Sequence, residues 1–179
     1  MSEFQEEFKV MESVRRVTNA ISRTLQKIEM LIGCTCLALL LGLMLFNAAA
    51  RYLFDFPVVW SDEMNGFFFV WMGFLSTCYV MGEDNHMRVT GLVEMLPRRV
   101  QYILRTIMNV IMIAAFAYYI PGFIKLMGRV TFSGLLRIPL KYVYAILPIS
   151  FVLLIVHAIN NIVNDTCKEM AASRGGKEA

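Results

Sequence analysis

His86 and His157 are the only imidazoles in this 179-residue chain. Two imidazoles inside a helical membrane bundle could clasp one haem between axial nitrogens. An axial ligand projects from a helix into an apolar pocket, however, whereas His86 follows Glu83, Asp84 and Asn85 in a polar stretch. The four thiols are Cys34, Cys36, Cys78 and Cys167. The C-T-C spacing is neither a redox C-x-x-C nor a paired zinc motif, so they read as small packing residues rather than ligands. No H-E-x-x-H, G-x-S-x-G or phosphate-cradling loop occurs. The remaining polar cluster is Trp60-Ser61-Asp62-Glu63. Ser61 suits a helix N-cap, Asp62 and Glu63 sit where the helix dipole favours negative charge, and Trp60 suits a lipid-headgroup belt. Arg51 lies at the same level and is expected to pair with Asp62 or Glu63.

The elements that position these residues follow from the charge pattern. The chain is 58% hydrophobic and 17% charged, against roughly 45–50% and about 25% in soluble domains. Residues 30–50, 64–82, 106–124 and 142–164 contain no Asp, Glu, Lys or Arg, so all 31 charges fall outside these four runs. A helix of 19 to 23 residues covers roughly 30 Å, the thickness of a bilayer's apolar core. The expected fold is an all-α integral membrane protein with four transmembrane helices. A net charge of +3, scattered along the chain, is too small to suggest a nucleic-acid-binding surface.

Residues 1–29 form an N-terminal segment in which Phe4, Phe8, Met11, Thr18, Ile21, Leu25 and Ile28 follow helical spacing. This predicts an amphipathic helix along the membrane surface or a partner before the first span. Residues 30–164 form the four-span domain and 165–179 a cytoplasmic tail. Between spans two and three, Val89, Leu92, Val93 and Leu96 followed by Pro97 predict a short interfacial helix. Placing both termini in the cytoplasm puts twelve of the seventeen Lys and Arg residues inside, as the positive-inside rule favours. Four of the five external cations, among them Arg129 and Arg137, then share the last outer loop.

Transporters place ionisable groups within the membrane despite a cost of about 2.5–3.5 kcal/mol each, because the transported species needs them. The four runs hold no acid and no base other than His157. Pro121-Gly122 and Pro148 could break helices and free carbonyls for a cation, but both fall near the outer ends of their spans. The chain therefore reads as a partner of other helices. Cys34, Ala38 and Gly42 make a small-residue stripe at i, i+4 and i+8 that lets a backbone approach closely. Asn47, Asn65, Asn109 and Asn160 can hydrogen-bond between helices. Whether the stripe serves this bundle or an external partner is left open by the sequence.

The order of motifs is more specific than any one of them. Arg51-Tyr52-Leu53-Phe54, Trp60-Ser61-Asp62-Glu63, Phe69-Val70-Trp71-Met72-Gly73-Phe74-Leu75, His86-Met87-Arg88-Val89, Leu96-Pro97, and Ile138-Pro139 with Tyr144 and Leu147-Pro148 follow one another over residues 30–164. This series resembles the small membrane subunit of tripartite ATP-independent periplasmic (TRAP) transporters, the DctQ-type family. The resemblance implies a non-enzymatic scaffold of the bacterial inner membrane. Its partners would be a large elevator subunit, which binds Na⁺, and a periplasmic substrate-binding protein delivering an organic anion such as sialic acid or a dicarboxylate. No cofactor is then expected on this chain. Trp60 and Glu63 would position span two, with His86, Arg88 and Pro97 setting the interfacial helix. Arg129 and Arg137 would meet an acidic face of the binding protein. A stand-alone small transporter and a haem-bearing membrane anchor are the alternatives.

Overall fold

The computed structural model describes residues 2–83, 97–129 and 131–175. Five helices are seen among them: α1 (Ser2–Phe54), α2 (Val59–Gly82), α3 (Arg98–Met127), the single turn α4 (Lys141–Tyr144) and α5 (Ile146–Gly175). Four segments are long and apolar enough to cross a membrane. The proposed interfacial helix, with His86 and Arg88, lies outside the described residues.

The amphipathic segment expected ahead of the first span is not a separate element. It continues without interruption into the span, giving a helix of 53 residues. The sequence explains this, since neither Gly nor Pro occurs before Gly33. The helix ends where Asp55 takes a left-handed conformation (φ 52°), shortly before Pro57.

Ser61 does not cap α2. The helix begins two residues earlier, with Val58 at the cap position and no side-chain cap. The Ser61 hydroxyl instead donates back to the Val58 carbonyl at 2.7 Å. Pro97 opens α3, its carbonyl accepting from the amides of Val100 (2.9 Å) and Gln101 (3.2 Å). α3 runs through Pro121 without a break, whereas the helical course is interrupted at Ala145, between α4 and α5, so that Pro148 falls in the first turn of α5, where no backbone donor is required.

α1 packs chiefly on α2, and α3 chiefly on α5, while α5 also touches α1 and α2. The last helix is therefore the hub. Its Phe151 ring meets Phe74 of α2 edge-on and Phe116 and Phe123 of α3, with centroids 5.3–6.4 Å apart. Beneath these rings, Cys78 and Met81 pack with Leu154 and Ala158 to make the apolar core. No residue in the most hydrophobic stretch of α3 is fully buried, although Met112, Ile113 and Phe116 pack partly buried against this core.

Candidate functional site: two polar clasps

At the Trp60 end, the clasp is built on α2. The Asn47 amide donates to Asp62 Oδ1 at 3.2 Å, and its Oδ1 accepts the Val58 amide at 3.1 Å. One side chain thus ties the end of α1 to the start of α2. Glu63 reaches the other connection, its Oε1 accepting from the Gly134 amide (3.0 Å) and its Oε2 from the Leu136 amide (2.9 Å). That loop is held in a hairpin-like shape by bonds from Ser133 to Ile138 and from Leu140 to Thr131, with Phe132 and Pro139 paired between them. Arg137 lies at its turn in a left-handed conformation (φ 49°).

This arrangement overturns the expected ion pair. Asp62 is occupied by Asn47 and Glu63 by backbone amides, and Arg51 is exposed with no ion pair among the described residues. Two amides aimed at one carboxylate satisfy both its oxygens without having to hold a long, mobile arginine. Arg129 and Arg137 are likewise exposed, with no ion pair among the described residues. Trp60 is 45% exposed, as a headgroup anchor would be, and Trp71 is half-buried.

The second clasp is at the Gly82 end, and no motif announced it. His157 on α5 is fully buried and both its ring nitrogens are engaged: Nδ1 with the Ser22 hydroxyl at 2.9 Å and Nε2 with Glu29 Oε1 at 3.0 Å. Glu29 and Ser22 are each only 2% exposed. About one turn before Ser22 on α1 and about two turns beyond His157 on α5, the Asn19 and Asn164 side-chain amides exchange a reciprocal pair of hydrogen bonds at 2.7 and 3.1 Å. Asn161 donates to the Met81 carbonyl, bringing α2 into the same seam. By charge, Glu29 belongs to the polar segment before span one; folded, it belongs to the bundle interior. The available signal was the alignment of Asn19, Ser22 and Glu29 on one face of α1, matched by His157, Asn161 and Asn164 on one face of α5. A haem ligated by His157 would have to displace one of these two hydrogen bonds.

The structure decides the orientation of the small-residue stripe. Cys34, Ala38 and Gly42 are exposed, whereas Gly33, Cys36 and Leu40 form the face buried within the chain. Asn47 does bond between helices, but Asn109 donates only to the Arg105 carbonyl in its own helix.

Residues 40–168 match the family model of the DctQ component of tripartite ATP-independent periplasmic transporters. The chain belongs to this family. It is 28% identical over 109 residues to a putative TRAP transporter small permease protein of Haemophilus influenzae (strain ATCC 51907 / DSM 11121 / KW20 / Rd), covering 61% of this chain and 65% of that protein. A second protein of the same name and strain is 25% identical over 108 residues, covering 60% and 66%. The sialic acid TRAP transporter permease protein SiaT of H. influenzae (strain 86-028NP) is 22% identical over 132 residues, covering 73% of this chain and 21% of SiaT. The chain thus spans just under two thirds of each small permease and about a fifth of SiaT. The four spans described above are those of a multi-pass small subunit of the DctQ type, and both clasps fall wholly or partly in the matched region.

Proposed function

We propose that this chain braces the large membrane subunit of a TRAP transporter during Na⁺-coupled uptake of an organic anion delivered by a periplasmic binding protein. Membership of the DctQ family supports the assignment to such a transporter. The observation that carries the bracing role is the surface left over after the chain has packed on itself: one face of α3, with Ile107, Met108, Val110 and Ile111, is exposed and the Cys34, Ala38 and Gly42 face of α1 is open. Small residues on an open helix face permit the close backbone approach on which membrane helix association depends. The clasps hold α1, α2 and α5 together and α3 packs on α5 through Phe116 and Phe123, so that these open faces are presented by one unit. Both termini are cytoplasmic on this reading, which puts Glu63 and the cationic loop at the periplasmic surface.

Reconstitution tests the proposal. Proteoliposomes with this chain, its large subunit and the binding protein should accumulate the anion under a Na⁺ gradient, and omission of this chain should abolish or sharply reduce uptake. The buried Glu29–His157 pair is the feature that would suit a stand-alone transporter. Vectorial flux in liposomes containing this chain alone would establish that alternative and overturn the bracing role.

A further inference from the structure

The bonds of the buried clasp fix the depth of α1 against the last span. Asn19 is paired with Asn164, the final residue of the charge-free run 142–164, and the next residue, Asp165, has its Oδ1 3.9 Å from the Arg105 guanidinium. Asn19 therefore stands where the apolar core of a bilayer gives way to headgroups. Arg15 and Arg16 come about one turn before it, on the headgroup side, and Arg23 follows four residues later, about 6 Å deeper.

These three arginines are exposed and, with Glu12, Asn19 and Ala20, line one groove of ≈ 330 Å³. The six positions advance by three, one, three, one and three residues, which keeps them on one side of the helix. Glu12 is the one acid lining the groove and is held by Arg16 at 2.9 Å, whereas Arg15 and Arg23 have no ion pair among the described residues. An exposed cation below the headgroups is costly unless its charged end returns to the interface. Side chains of an α-helix lean towards its N-terminus, which on α1 is the direction of the headgroups, so Arg23 reaches the groove along its preferred path. The anion that a bilayer supplies at this level is phosphate, and the guanidinium fork matches it with two parallel hydrogen bonds.

We propose that this groove on α1 binds the phosphate of an anionic phospholipid headgroup between Arg15 and Arg23. Three arginines against one glutamate leave an excess of positive charge, which favours an anionic headgroup over a zwitterionic one that brings its own cation. Neither the bracing role nor the side on which the termini lie enters into this site.

The test titrates the full-length chain, in a neutral detergent, with phosphatidylglycerol or with phosphatidylcholine of the same acyl chains, bound lipid being counted by native mass spectrometry. Phosphatidylglycerol should bind at about a tenfold lower concentration than phosphatidylcholine, and this advantage should shrink as salt is raised. Arg15→Gln/Arg23→Gln should remove most of it, with the lipid-free thermal midpoint within about 2 °C of the unmutated chain. Arg15→Lys/Arg23→Lys, which keeps the charge, should retain part of the advantage, and Arg51→Gln, at the far end of the helix, should retain all of it. Equal binding of the two lipids, or an advantage that survives Arg15→Gln/Arg23→Gln, would overturn the proposal. Displacement of phosphatidylglycerol by excess inorganic phosphate would assign the groove to a soluble anion and overturn it too. So would equal binding of the lipids combined with poorer recovery of the large subunit by Arg15→Gln/Arg23→Gln, the result expected if an acidic segment of that protein fills the groove.

Discussion

Replacing His157 with Ala should destabilise the bundle more than any other single polar substitution within it. The imidazole is fully buried and joins two side chains of α1 to α5, Ser22 at 2.9 Å and Glu29 at 3.0 Å. Without it, Glu29 Oε1 loses its partner while Oε2, also buried, has none among the described residues. Removing one member of a buried, hydrogen-bonded pair of this kind costs about 3–5 kcal/mol, because the other is left stranded. For a chain of 179 residues, each kcal/mol corresponds to about 2–4 °C, so the midpoint should fall by roughly 6–20 °C. The assay is thermal unfolding of purified protein in mild detergent, followed by circular dichroism. A triple variant, Ser22→Ala/Glu29→Met/His157→Leu, removes all three polar groups at similar volume and should recover most of the loss, since apolar replacement of a buried pair is often neutral or stabilising. A His157→Ala midpoint within about 2 °C of the unmutated chain would mean that the pair costs less than 1 kcal/mol to break. That result, or a triple variant no more stable than the single one, would refute the reasoning.

Three other predictions bear on the Trp60 end. Glu63→Gln exchanges a carboxylate that accepts two amides for a neutral group that can accept at only one atom; a loss of about 1–3 kcal/mol follows, and limited proteolysis within residues 131–140 should accelerate. Arg51→Glu should shift the thermal midpoint by less than about 2 °C, within the usual range for an exposed residue, and Glu63→Arg should not rescue it, because the two do not pair. Arg129→Gln/Arg137→Gln should raise the concentration of binding protein needed for half-maximal uptake at low salt and leave less to lose at high salt. Uptake insensitive to both the substitutions and salt would remove electrostatic docking at that loop.

What sequence alone determined was the solvent of each segment. Separating 31 charges from four apolar runs leaves an all-α membrane bundle as the consistent solution, because backbone groups in hydrocarbon must be satisfied within a helix. The motif order from Arg51 to Pro148 was also legible, and the family match over residues 40–168 agrees with it. Partner choice among polar side chains was not. Arg51 and Glu63 have opposite charges and similar depth, yet Glu63 is taken by amides 71 and 73 positions away. Glu29 stands just outside a charge-free run, so any boundary drawn by charge assigns it to water, whereas His157 lies 128 residues further on and draws it inside. Helix length and hydrophobicity are local properties that a window of sequence contains. Which face of a helix is covered, and which carboxylate meets which donor, depends on how α1 and α5 lie against each other, and only the folded bundle sets that.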